Sequence, residues 1–333
     1  MPTRSRRQLL QAGFVLAGIG LLSGCSAIPV SGRAPAKVPR VGVLWTAEPA
    51  MVDAFRHGLR DLGYVEGRDI VLEYRYHAGA PEHLPSLAAE LVSLPVDVLV
   101  TSGAPGIRAA QQATDTTPII MAAIGDAVNS GFVQSLAQPG GNTTGLSFFG
   151  IPTAIKQLEL LKDAALGITR VATIRDAATA PNLAERYRAV GDAAQAMGLA
   201  LQPLVASAPD GLASAFDAAR AAGADAIHVH TSPSFTAHRL VLIDLAARAR
   251  LPTMYPQREF AEGGGLIAYG ANLPDLYRRA ASYVDKILKG AKPADLPIEQ
   301  PTTFDLVVNL KTAQALGLTI PQSVLEQATA ILQ

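Results

Sequence analysis

Along the chain, short apolar, largely β-branched runs alternate with stretches in which apolar residues return every three or four positions. The first pattern suits a strand buried on both faces and the second a helix buried on one, so the alternation reads as repeated βα units. The spacing predicts strands over Val38–Trp45, Asp69–Tyr76, Val96–Val100 and Pro118–Ile124. It predicts helices over Pro49–Leu62, Glu82–Ser93 and Pro105–Thr114, and a short helix near Ser130–Ala137. Gln138-Pro139-Gly140-Gly141-Asn142 then breaks the pattern, as Pro and Gly do.

The alternation restarts with strands over Gly145–Phe149, Arg170–Ile174, Ala200–Val205, Ala226–His230, Thr253–Tyr255 and Gly265–Tyr269. Its helices span Thr153–Ala165, Leu183–Met197, Gly211–Ala222, Ser234–Arg248 and Asp275–Leu288. A Pro-rich stretch, Lys289–Gln300, leads to a strand at Phe304–Val308 and helices at Lys311–Ala315 and Pro321–Leu332. Strands joined through helices make right-handed crossovers and parallel sheets. The expected fold class is therefore α/β, with two similar halves joined near residues 142–152.

The first 24 residues stand apart from this pattern. Arg4, Arg6 and Arg7 precede an apolar stretch, Leu9–Leu22, which is short for a membrane span of about 20 residues. With small residues following, it reads as an export signal. Leu22-Ser23-Gly24-Cys25 resembles the bacterial lipobox, in which the Cys thiol receives a diacylglyceryl group and becomes the mature N-terminus. Ser5-Arg6-Arg7-Gln8-Leu9-Leu10 also resembles a twin-arginine signal. Residues 25–37, with small residues, two prolines and a glycine, read as a lipidated tether.

Composition narrows the function. Among 333 residues, 28 basic and 28 acidic side chains balance, which argues against a strongly basic nucleic-acid binder. Without the three leader arginines the mature chain keeps 25 basic and 28 acidic residues. Hydrophobic residues at 49% fill a large core. Cys25 is the only cysteine, so neither an intrachain disulfide nor a Cys-based zinc site can form.

No nucleophile elbow, phosphate-binding loop or His-Glu-x-x-His segment occurs, and the first strand leads into Trp45-Thr46-Ala47-Glu48-Pro49 rather than a glycine-rich turn. His228 and His230 share one strand face, but they read as cleft or core histidines rather than metal ligands. No cofactor or metal is expected.

Ligands of open α/β sheets bind outside the carboxyl ends of the strands. The first half offers Trp45, Thr46, Ser102, Gly103 and Asp126 there. The second offers Arg175, Asp176, His230, Thr231, Ser232, Tyr255, Arg258 and Tyr269. Ser102-Gly103-Ala104-Pro105 opens a helix whose free N–H groups suit a carboxylate. Asp126 and Asp176 suit an ammonium, and the aromatic residues offer stacking surface. Asp126, after the apolar run Ile119–Ile124, is the strongest single candidate.

Several longer segments carry a resemblance: Phe55-Arg56-His57-Gly58-Leu59-Arg60-Asp61-Leu62-Gly63-Tyr64, Gln138-Pro139-Gly140-Gly141-Asn142-Thr143-Thr144-Gly145, Tyr255-Pro256-Gln257-Arg258-Glu259-Phe260 and Phe304-Asp305-Leu306-Val307-Val308-Asn309-Leu310-Lys311-Thr312-Ala313. With these the chain resembles the substrate-binding lipoproteins of ABC importers, in the branch related to tryptophan/tyrosine receptors. That resemblance implies a type I periplasmic-binding fold: two Rossmann-like lobes, three crossovers and a ligand cleft that closes. It assigns residues 38–146 plus 270–300 to the first lobe and 147–269 plus 301–333 to the second, with the hinge near Ser147 and Tyr269.

The resemblance further implies a monomer held to a membrane in the periplasm or at the cell surface. It would deliver a small polar or zwitterionic molecule to the permease's transmembrane subunits, with no enzymatic activity and no nucleic-acid partner. Gly125-Asp126-Ala127 and Thr231-Ser232-Pro233-Ser234-Phe235 depart from the Gly-Asp-Pro and Ser-Asp-Pro-Phe-Phe of relatives, which argues against an aromatic amino acid as ligand. A sensor lipoprotein docking on a histidine kinase, or a two-lobed α/β enzyme, are the other readings.

Overall fold

The computed structural model describes residues 37–45, 49–77, 81–148, 150–177 and 184–333; the leader, Cys25 and Thr46 lie outside them. The first half contributes β1 (Arg40–Trp45), α1 (Pro49–Asp61), β2 (Val71–Tyr76), α2 (Leu84–Ser93), β3 (Val98–Ser102), α3 (Gly103–Ala113), β4 (Ile119–Ile124) and β5 (Thr143–Ser147). These five strands form one parallel sheet in the order β2-β1-β3-β4-β5.

Both faces of this sheet are covered, which is why its central strands carry no polar alternation. Val41, Val43 and Trp45 of β1 face a core shared with α1, while Leu44 faces another shared with α2 and α3. One polar side chain inside this lobe, Thr101, satisfies its hydroxyl on the Leu44 carbonyl at 2.8 Å.

The second half runs α4 (Ile151–Ala164), β6 (Arg170–Asp176), α5 (Ala184–Ala196), β7 (Ala200–Ala206), α6 (Leu212–Ala221), β8 (Ala226–Val229), α7 (Pro233–Ala237), α8 (Arg239–Ala249), β9 (Thr253–Tyr255), α9 (Arg258–Glu262) and β10 (Ile267–Ala271). The last stretch adds α10 (Leu273–Leu288), β11 (Phe304–Asn309), α11 (Leu310–Leu316), α12 (Gln322–Leu325) and β12 (Ala330–Leu332). The second sheet has the order β12-β11-β10-β9-β8-β6-β7, parallel except where β11 runs against β10.

The chain passes between the two sheets three times. It leaves β5 for α4, leaves β10 for α10, and leaves the segment beside β5 for β11. Helix α10 belongs to the first lobe, where its apolar stripe Leu276, Ala280, Tyr283, Val284 and Ile287 joins the core of β1 and α1. Gly58 makes that packing possible, because a Cβ there would lie 2.2 Å from the Arg278 carbonyl oxygen.

Three expectations change. Residues 130–137 form turns, not a helix: Gly131 takes a left-handed φ of 75°, and Phe132 and Val133 drop into the core. The helix expected over Ser234–Arg248 breaks at His238 into α7 and α8. The helix expected over Pro321–Leu332 shrinks to α12, and its end becomes β12. There the free edge of β11 captures the end of the segment, with the Thr329 N–H on the Leu306 carbonyl at 2.8 Å.

Candidate functional site

At the carboxyl end of the first sheet, β3 ends at Ser102 and α3 begins at once. Ser102 sits at the helix N-cap in extended conformation, yet its side chain makes no cap hydrogen bond. Gly103 follows with φ 69°, a left-handed backbone that glycine adopts without strain. The start of α3 therefore keeps its N–H donors and the positive end of the helix dipole uncapped by a side chain, a local field that suits an anion.

Asp126 follows β4 as expected, but its carboxylate turns to the chain beside it. One oxygen accepts from the Asn129 backbone N–H at 3.0 Å and the other from Asn129 Nδ2 at 2.7 Å. This is a turn-capping arrangement.

The second sheet presents a different wall. Asp176 closes β6 with only 5% of its surface exposed. Ser232, past the end of β8 and 1% exposed, donates its hydroxyl to Asp176 Oδ2. The Ser232 Oγ itself accepts from the N–H groups of Ser234 and Phe235 at 3.1 and 3.3 Å, capping α7. Ser232 thus spends its single donor on Asp176 and both lone pairs on the α7 cap. Thr231, half-buried, lies between His230 and this cap.

Behind that wall stands a polar column that the sequence hid. Gln157, on the buried stripe of α4 with Ala154, Leu158 and Leu161, is 1% exposed. Its Nε2 donates to the Tyr269 carbonyl at 2.6 Å, and its Oε1 lies 2.8 Å from His228 Nε2. Because the amide spends its donor side on Tyr269, His228 must carry its proton on Nε2. Its Nδ1 is then a buried acceptor without a partner. Complete burial pushes the His228 pKa down to about 4, so the ring is neutral. His230, 6% exposed and nearer the strand end, packs on it with ring centroids 4.7 Å apart. The signal available in the sequence was an amide inside an apolar helical stripe.

The three aromatic candidates are buried to different degrees. Trp45 is 1% exposed and packs against Phe55 and Tyr277 at 5.3 and 4.8 Å, so its ring is spent in the core. Tyr255 is equally buried and stacks on Phe260 at 5.0 Å, and burial pushes its hydroxyl pKa far up. Tyr269 is half-buried and stacks on Phe304 at 5.5 Å, beside the crossovers. Arg258 pairs with Glu262 at 2.9 Å and lies 3.5 Å from Asp305. Arg175 is half-buried on β6, next to Asp176. Among the described residues no cluster of three His, Cys, Asp or Glu side chains could hold a metal ion, and no helix is long and apolar enough to cross a membrane.

Comparison with known proteins places this architecture. A curated relative, the tyrosine-binding protein of Clostridioides difficile (strain R20291), is 24% identical over 328 residues, covering 93% of this chain and 91% of that protein. A solved ABC domain in complex with L-Trp from Streptococcus pneumonia is similar with a TM-score of 0.80 and 26% identity, over 88% of this chain and 99% of that one. A conserved domain protein from Vibrio cholerae O1 gives a TM-score of 0.79 and 29% identity, over 89% and 100%. The two-sheet architecture with three crossings is the type I periplasmic-binding fold. Residues 43–332 match the profile of the ABC transporter substrate binding proteins, and the chain belongs to that family.

Proposed function

We propose that this substrate-binding protein captures a free amino acid, or a zwitterion of similar size, between its two lobes and presents it to an ABC permease. The observation that carries the ligand class is the contrast between the strand ends. One sheet offers a helix start left open by Ser102, and the other a buried carboxylate fixed by Ser232. The ligand carboxylate goes to the N–H groups of α3 and its ammonium to Asp176, with His230 beside it. The aromatic amino acids named for two of its relatives support the zwitterion reading.

Native mass spectrometry of the purified protein, followed by calorimetry with L-tyrosine, L-tryptophan and a panel of other amino acids, tests this. A co-purifying amino acid, with binding that requires both its charged groups, is the expected result. A ligand lacking an ammonium group, bound as tightly, overturns it.

A diacylglyceryl group on Cys25 would keep the receptor beside its permease, with residues 26–37 as the tether. Cys25→Ala should leave the protein uncleaved or release it from membranes. A cleaved variant that still fractionates with membranes overturns the anchor.

A further inference from the structure

We propose that two carboxylates, Glu299 and Asp305, clamp the third crossover to its neighbours at either end and so fix where the lobes bend. This rests on the reading that the ligand is captured by lobe closure, and it names positioning residues outside the strand-end walls. Glu299 is the first-lobe anchor. Its N–H donates to the Gly145 carbonyl at 3.0 Å and its carbonyl accepts from the Ser147 N–H at 2.9 Å, continuing the edge of β5. Its carboxylate takes Arg279 of α10 at 2.5 Å, with Lys286 at 3.6 Å. Burial pushes this carboxyl up, but the hydrogen bond and charge of Arg279 and the charge of Lys286 outweigh it and hold it below its ordinary range. Tyr283 of α10 adds a bond to the Pro297 carbonyl at 2.6 Å.

Asp305 is the second-lobe anchor, on β11 and 7% exposed. Asn272, the residue between β10 and α10, donates Nδ2 to both its oxygens at 3.3 and 3.0 Å. Arg258 of α9 lies 3.5 Å from Oδ1 of the same carboxylate. The same Asn272 caps α10 by accepting from the Asp275 N–H at 2.9 Å. One short side chain therefore joins the start of a first-lobe helix to a buried carboxylate of the second lobe.

Between Glu299 and the start of β11 at Phe304 only residues 300–303 are left, and three of the four are exposed. They meet the second crossover through one backbone bond, Asn272 N–H to the Thr303 carbonyl at 3.1 Å. A segment held by ion pairs at both ends and by single bonds between is where rotation concentrates, because the flanking residues cannot follow without breaking charged contacts. The first crossover has no such ion-pair clamp among the described residues; there Phe148 donates its N–H to the Ile124 carbonyl at 2.8 Å and Ser147 its hydroxyl to the Gly125 carbonyl at 3.1 Å.

The test is a distance distribution by double electron–electron resonance. Spin labels go on Gln112→Cys of α3 and Ala237→Cys of α7, both exposed, in the full chain with Cys25→Ser. Asp305→Ala and Glu299→Ala should each broaden the ligand-free distribution, and the double variant should broaden it most, roughly twofold in width. Should either fail to fold, Arg258→Gln and Arg279→Gln remove the same contacts from the partly exposed side and should broaden it to a smaller degree. Unchanged widths in folded variants of both pairs overturn the clamp. L-tyrosine is then added to separate the two readings. Broadening without any response to L-tyrosine supports the clamp and counts against L-tyrosine as the captured amino acid. A shift on adding L-tyrosine, identical in parent and variants with no broadening, overturns the clamp and leaves capture standing.

Discussion

The starts of α3 and α7 occupy equivalent places, each following a strand of its sheet and each preceded by serine, yet they are finished in opposite ways. Ser102 leaves its helix without a side-chain cap, whereas Ser232 caps its own twice and donates its hydroxyl hydrogen bond to Asp176. Repeating one βα unit in two lobes does not repeat its electrostatics. A single hydroxyl decides whether a strand end shows donors or a carboxylate. On the proposed reading, the cleft gains a positive and a negative pole from the same building block.

Exchanging the character of the two poles gives the largest expected effects. Asp176→Asn should weaken binding of the co-purifying ligand by on the order of 2–5 kcal/mol in calorimetry, because a buried ammonium loses its counter-charge. Asp126→Asn should stay within about 1 kcal/mol of wild type, since its carboxylate already serves Asn129. The reverse ranking would move the negative pole to the first lobe.

The buried column gives the second lobe a strong pH response. His228 has a folded pKa of about 4 against about 6.5 in an unfolded chain. The unfolded state binds the extra proton in between, so stability is fully present above about pH 6.5 and is lost as pH falls toward 4. The full span is worth about 3 kcal/mol by linkage, from roughly 1.4 kcal/mol per unit. Chemical denaturation of wild type and His228→Asn across that range should show the slope reduced in the variant. Parallel curves would mean that another group carries it.

Smaller effects distinguish the serines. Ser232→Ala removes the α7 cap and should cost about 1 kcal/mol of stability, together with affinity through the released Asp176. Ser102→Ala should leave the melting temperature nearly unchanged. Ser102→Asp should stabilise α3 by roughly 0.5–1 kcal/mol while weakening ligand binding, because it fills the anion pole with a charge of its own. A stabilised variant with wild-type affinity would show that the ligand carboxylate goes elsewhere.

Much of the fold was legible because parallel strands covered on both faces leave unmixed apolar runs, as in Ile119–Ile124 and Val98–Val100. Element ends were legible where a breaker stands, such as Pro139 before β5. The split of α7 from α8 at His238 was not, since neither Gly nor Pro marks it. β12 was hidden because its reason to exist is an edge more than twenty residues away in sequence. At the site, polar residues at strand ends could be named in advance. Their partners could not: Ser232 reaches Asp176 across 56 positions and Gln157 reaches His228 across 71. The burial of Trp45 and Tyr255 was equally out of reach, because strand-end aromatics look alike whether they turn inward or outward.

The three crossovers also set an order of events during synthesis. The core of the first sheet needs α10, whose Arg278 meets Asp61 at 2.8 Å across 217 positions. The second sheet needs β11, whose Val307 and Val308 are fully enclosed. Neither half can close until residues beyond 270 have left the ribosome, so the nascent protein stays incompletely packed for most of its translation. Such long-range closure also slows folding once the chain is complete. A chain stopped near β10 should expose apolar surface from both halves at once, and proteases should degrade it as a whole rather than trim it to one stable lobe.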